Sequence, residues 1–153
     1  MEEYHLPFID MKTSQAITPE TEKKIKKDFG QAIECIKGKT ESWLMLCFEG
    51  NQKIWFQGTD EPAAMVQVDI FGTASDKEYQ ELTKQISSIL NKELQIPQNR
   101  IYVKYTENVH WGWNGSIFNS HVIPKAAKLN ERRFQSILCR RSPSLPNMKI
   151  FCW

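Results

Sequence analysis

The amino-acid sequence predicts an α+β domain in which one sheet of four strands carries two helices on a single face. Three observations predict it. The order strand, helix, strand occurs twice between residues 8 and 105. Each helical segment bears one apolar stripe, so each buries only one side. The chain of 153 residues suits one ordinary domain and is too short for two full ones.

Residues 8–14, FIDMKTS, read as the first strand. Thr18-Pro19-Glu20 then opens a helix. Thr18 can accept from an orphan N–H, Pro19 suits the first helical position, and Glu20 and Glu22 face the positive end of the dipole. Ile25, Phe29, Ala32, Ile33 and Ile36 follow at helical spacing, and Gly38 is the expected end. Residues 43–48 form a second strand, apolar on both faces, which predicts cover on both. Residues 63–71 alternate, with Val66, Val68 and Ile70 on one side and Gln67 and Asp69 on the other. Ser75 and Glu78 make a capping box. Tyr79, Leu82, Ile86, Ile89, Leu90 and Leu94 mark the second helix, and Pro97 stops it. Residues 100–105, RIYVKY, are a further strand, with Ile101, Val103 and Tyr105 on one face and Tyr102 and Lys104 on the other.

Strand–helix–strand units favour parallel pairing within each unit and right-handed crossovers. With both helices on one face, the other face needs cover. Apolar residues such as Trp43 or Leu44 are expected there, so an oligomer that packs sheet faces together is expected to supply it.

With 41% hydrophobic and 25% charged residues, the composition excludes collagen-like, low-complexity and wholly disordered chains. The longest uncharged apolar run, residues 43–48, falls far short of the roughly 20 residues of a membrane helix. The start, MEEYHLPFID, lacks a basic region followed by an apolar one, so no secretory signal is expected. Cys35, Cys47, Cys139 and Cys152 match no metal spacing and read as reduced thiols of a cytoplasmic protein, with no metal and no cofactor. His5, His110 and His121 are scattered, and none is assigned as a base.

Charge divides the chain. Residues 119–153 carry seven bases against one acid, a net of +6, which leaves −4 for residues 1–118. Pro124, Pro143 and Pro146 interrupt the basic segment. A helix over residues 126–138 fits, and the rest is expected to be poorly ordered. Arg132-Arg133 and Arg140-Arg141 lack the aromatic interleaving of an RNA-binding surface, so nucleic acid is not the favoured partner.

The segment Trp111-Gly112-Trp113-Asn114-Gly115-Ser116-Ile117-Phe118 carries a resemblance. Together with the preceding helix EYQELTKQISSILNKELQI and the spacing P-x-x-R-I-Y-V, it resembles the macrophage migration inhibitory factor family. The resemblance covers roughly residues 7–118. It implies a pseudo-symmetric β-α-β-β-α-β tautomerase subunit, with residues 1–6 as an N-terminal extension and residues 119–153 as a basic C-terminal one. It also implies a homotrimer with its sites at subunit interfaces, no cofactor, and keto–enol tautomerisation of small aromatic 2-keto acids such as phenylpyruvate.

The resemblance assigns roles residue by residue. Pro7 matches the proline whose amine carries the proton. Lys39 matches the lysine that holds the substrate carboxylate. Phe71 matches a position whose backbone N–H contacts substrate. Tyr102 matches the tyrosine that closes the site from a neighbouring subunit. Lys104 lies on the same strand face, where relatives often have a neutral residue. Trp111, Trp113 and Phe118 match the apolar wall.

These types suit the chemistry. Enolisation needs a carrier with a pKa near ambient pH. A free α-amine starts at about 7.7–8.0, and both burial and a nearby ammonium lower it. Two features depart from the family pattern. Lys104 adds a cation that favours anionic substrates, and Phe71 is bulkier than the usual aliphatic and narrows the ring pocket. Pro7 also follows six residues, Met1 to Leu6, which makes its nitrogen an amide without useful basicity. Initiation at a leucine codon for Leu6, followed by removal of that residue, would expose it. With Pro7 internal, the alternative is a non-catalytic trimeric binding or cytokine-like protein.

Overall fold

The computed structural model describes residues 6–119. Residues 1–5 and 120–153 lie outside the described residues. So do the expectations that fall on them: most of the N-terminal extension, the basic extension with its helix, and Cys139, Cys152, His5 and His121.

The elements run β1 (Pro7–Thr13), α1 (Pro19–Ala32), β2 (Met45–Glu49), β3 (Ala64–Phe71), α2 (Asp76–Leu94), β4 (Ile101–Asn108), β5 (His110–Trp113) and β6 (Ser116–Asn119). Strands β2-β1-β3-β4 form one sheet in that order. β1 pairs parallel with β2, and β3 with β4, as each intervening helix requires. The central pair, β1 and β3, is antiparallel. The fold is thus the expected one: two helices on a four-stranded sheet, with two similar halves.

Alternation along the strands decides the layers. Ile9 and Met11 of β1, and Val66, Val68 and Ile70 of β3, are fully buried against Ile25 and Phe29 of α1 and Leu82, Ile86 and Leu90 of α2. Among the described residues, no helix is long and apolar enough to cross a membrane.

Both helix starts follow their caps. Thr18 Oγ1 accepts from Thr21 N–H at 3.2 Å, with Pro19 next in the chain. Ser75 Oγ accepts from Glu78 N–H at 3.2 Å, while Glu78 Oε2 accepts from Ser75 N–H at 2.7 Å. Satisfying two orphan donors this way is worth on the order of 1 kcal/mol.

Three expectations are corrected. First, α1 ends at Ala32 rather than near Gly38, and residues Ile33–Cys35 tighten into a 3₁₀ turn. With three residues per turn, Ile33 and Ile36 fall on one side, and both are buried. Second, residues Glu41–Trp43 form another 3₁₀ turn, so β2 starts at Met45, not Trp43. Third, the helical side of β2 takes a residue expected on the open sheet face. Leu44, Leu46 and Phe48 pack on the helical side, whereas Met45 is 67% exposed. Leu44 therefore does not line the open sheet face. Its apolar members are Phe8, Met45, Met65, Phe71 and Tyr102, which alternate with the core residues.

The sequence reading contained no strand after residue 105. The structure extends β4 to Asn108 and adds the hairpin of β5 and β6, with Trp111 opposite Phe118. Asn114 (φ 49°) and Gly115 (φ 73°) form its two-residue turn. Two consecutive positive φ angles match the twist of the flanking strands, and an Asn-Gly pair adopts them at little strain.

Candidate functional site

The antiparallel register of β1 and β3 sets Pro7 opposite Ile70. The start of β1 and the end of β3 therefore meet at one end of the sheet. Pro7 is buried there, next to Leu6, which is 4% exposed. The Phe71 N–H donates to Leu6 O at 3.1 Å. That bond extends the antiparallel ladder one residue before Pro7.

Gly38, at φ +80°, turns the chain so that Lys39 points back into this corner. Lys39 is 4% exposed, and its Nζ donates to Phe71 O at 2.8 Å. Both backbone polar groups of Phe71 are thus engaged, one by Leu6 and one by Lys39. A buried ammonium bound to a carbonyl is a ready counter-charge for an anion entering the corner.

Aromatic rings wall the same end. The Phe71 ring lies 6.4 Å from that of Phe118, inclined at 63°. Trp43 meets Trp113 edge to face at 5.0 Å and 86°. Trp43 sits just before β2, whose Met45 is in register with Phe8. Trp111 is half-buried across the hairpin from Phe118. The structure therefore brings together Pro7, Lys39, Phe71, Trp113 and Phe118, with Trp111 on the hairpin beside them.

It does not bring Tyr102 and Lys104 to that corner. Tyr102 is in register with Met65 and Lys104 with Gln67. Met65 is five residues from Ile70 along β3, about 17 Å at the usual rise per residue. Tyr102 is 60% exposed, at the far end of the sheet from Pro7. No side-chain rotation spans that gap, so a single chain does not assemble all the expected residues.

Arg100 is a residue whose role sequence reasoning missed. It is 6% exposed and clamps the loop before β3. Its Nε donates to Pro62 O at 2.9 Å, Nη1 to Phe56 O at 3.1 Å, and Nη2 to Glu61 O at 3.0 Å and Thr59 O at 3.3 Å. The sequence marked Arg100 only as part of a spacing. Its partners lie 38 to 44 residues away, beyond any local pattern.

Among the described residues, two phenols and a thiol are shifted away from reactivity. Burial pushes the Tyr105 phenol up to about 12. Tyr79 is raised further, by burial and then by its 2.6 Å hydrogen bond to Glu107. The Cys35 thiol is raised by burial and then by Glu81 and Glu78, the opposite of thiolate activation. On the open sheet face, Asp10, Cys47 and Glu49 bring their ligand atoms within 4.8 Å of one another. Lys12 Nζ lies 3.9 Å from Asp10 Oδ2 and offsets part of that charge.

Comparison with known proteins agrees with this architecture. The sequence profile described as macrophage migration inhibitory factor (MIF) matches residues 6–119. A macrophage migration inhibitory factor homolog of Trichuris trichiura is 32% identical over 94 residues, covering 60% of this chain and 82% of the relative. The macrophage migration inhibitory factor of Xenopus laevis is 30% identical over 93 residues, covering 60% of this chain and 81% of the relative. The crystal structure of Leishmania major MIF2 superposes with a TM-score of 0.71 at 32% identity, covering 74% of this chain and 98% of that one.

Proposed function

The chain belongs to the macrophage migration inhibitory factor family, and from that premise we propose that residues 7–118 form a keto–enol tautomerase for small aromatic 2-keto acids. The convergence of Pro7, Lys39 and Phe71 at one end of the sheet carries this reading. In it, the freed Pro7 amine takes the proton from the carbon next to the keto group, the C–H electron pair forms the C=C bond as the C=O pair moves to oxygen, and the prolinium delivers that proton to the oxygen; ketonisation runs the same transfers backwards. Lys39 and the Phe71 N–H receive the substrate carboxylate. Trp111, Trp113 and Phe118 flank the aryl ring and exclude water.

The active form is a homotrimer. The register gap supports self-association, because Tyr102 and Lys104 can join the Pro7 corner only from another copy. The half-exposed apolar residues of the open sheet face offer a surface for it. Tyr102 of the partner subunit then closes the ring pocket, and Lys104 of the partner subunit adds positive potential at its mouth. The free thiols Cys35 and Cys47 suit a reducing cytoplasm.

One observation favours a second reading for the chain that retains residues 1–6. Leu6 is buried in the corner, and its carbonyl occupies the Phe71 N–H that the substrate needs. In that form Pro7 is an amide, and the protein acts as a non-catalytic trimeric binding protein.

The test compares the full chain with one whose first residue is Pro7, using phenylpyruvate and following loss of the enol absorbance. Turnover is expected from the second form only, and Pro7→Gly in that form should remove most of it. Equal turnover by both forms would exclude Pro7 as the proton carrier. Absence from both would favour the binding reading.

A further inference from the structure

We propose that Phe56, held in place by Arg100, is a positioning residue that fixes the angle at which Tyr102 presents its phenol to the partner subunit. This inference rests on the reading above that Tyr102 completes the neighbouring site.

Tyr102 is 60% exposed, and among the described residues nothing makes a hydrogen bond to its hydroxyl. Its ring does have a partner: Phe56 meets it edge to face, with centroids 4.8 Å apart and planes at 76°. Phe56 is only half-buried and is not among the residues of the central core. Its contact with Tyr102 is therefore separate from the packing that holds the sheet to its helices.

Phe56 is itself immobilised. Its N–H and C=O exchange hydrogen bonds of 2.9 and 3.1 Å with Thr59, closing the turn at Gln57 and Gly58. The Arg100 guanidinium lies 5.3 Å from the centroid of the Phe56 ring while bonding to Phe56 O. Arg100 stands two residues before Tyr102, immediately ahead of β4. One buried side chain thus ties the strand that carries Tyr102 to the loop that carries its ring partner. The resulting order is guanidinium, phenyl, phenol, with the free hydroxyl outermost. A surface tyrosine would otherwise sample several rotamers, and binding would have to select one. Here that selection is made before the subunits meet.

The test uses the chain whose first residue is Pro7, with ring-labelled tyrosine read by NMR, together with titration by phenylpyruvate. Of the four tyrosines of the full sequence, that chain keeps Tyr79, Tyr102 and Tyr105. Phe56→Leu is expected to shift and average the Tyr102 ring signals and to leave those of Tyr79 and Tyr105 in place. Phenylpyruvate affinity should fall about two- to ten-fold, the range expected for losing one aromatic pair. Phe56→Tyr should restore both readouts. An unmoved Tyr102 signal in Phe56→Leu overturns the proposal. So does a loss of affinity that Phe56→Tyr fails to rescue, which marks a merely structural residue. Tyr102→Ala separates the two levels. If it binds phenylpyruvate as tightly as the parent chain, or if the parent does not bind at all, the site reading fails. The ring signals alone then decide the positioning.

Discussion

Cutting the bond between Leu6 and Pro7 is expected to change activity and stability in opposite directions. Leu6 is 4% exposed, and burying such a side chain contributes about 1.5–3 kcal/mol. Its carbonyl accepts from the Phe71 N–H at 3.1 Å, a bond worth about 0.5–1.5 kcal/mol net. A chain starting at Pro7 should therefore be less stable by about 2–4 kcal/mol, since the uncovered Phe71 N–H can turn to water. The same cut converts an amide into a secondary amine and frees a donor for the substrate carboxylate. Phenylpyruvate turnover should appear and rise with pH as the amine loses its proton, levelling off above an apparent pKa at or below about 8. Urea denaturation of both forms at one protein concentration measures the first effect, and enol absorbance across pH measures the second. A trimmed chain as stable as the full one would show that Leu6 packs against nothing of consequence. Turnover by the untrimmed chain would remove the link between the amine and the reaction.

Lys39→Met should raise the KM for phenylpyruvate by ten-fold or more in the chain that starts at Pro7. It should also lower stability by about 1.5–3 kcal/mol, because the ammonium bonded to Phe71 O is lost; steady-state kinetics and urea curves read the two separately. Glu78 should shape the acid limb of stability. Hydrogen bonds from the Lys37 and Ser75 backbone N–H groups and the Ser75 hydroxyl hold its carboxyl below the ordinary range. A depressed folded pKa adds stability above the unfolded value of about 4.3, and that stability is lost as pH falls through the lower folded value. Glu78→Gln should flatten this limb in urea midpoints taken between neutral and acid pH, and an unchanged slope would contradict the assignment. Gly30→Ala should be neutral or stabilising by up to about 1 kcal/mol. The new methyl would come within 2.6 Å of Glu41 Cδ, but that side chain is 47% exposed and can swing away. The helix gains about 1 kcal/mol, and only a surface ion pair with Lys26 is lost. A thermal melt showing marked destabilisation would mean that Glu41 is pinned.

The helices and main strands were legible because their signals are local. Thr18, Ser75 and Glu78 act on neighbouring N–H groups, and each apolar stripe repeats within its own element. The end of α1 was less legible, because burial of Ile33 and Ile36 against the sheet, not the Gly38 signal, decides where the helix tightens. The hairpin of β5 and β6 was missed although Asn114-Gly115 marks its turn. Each strand has four residues, too few for alternation to declare itself. Within the site, Pro7, Lys39 and Phe71 came from a family resemblance, and the register of β1 and β3 explains why they converge. The separation of Tyr102 from them is a matter of strand pairing, which no short motif encodes. Arg100 and Phe56 stayed hidden because four backbone carbonyls from a distant loop define their roles.

The pairing of Tyr102 with Met65, remote from Pro7, has an evolutionary consequence. In the proposed trimeric tautomerase, the reaction draws on opposite poles of two copies. Damage at one pole spares the other, so copies ruined at different poles can still build an intact pocket between them. A population of mixed alleles would retain function that neither allele keeps alone.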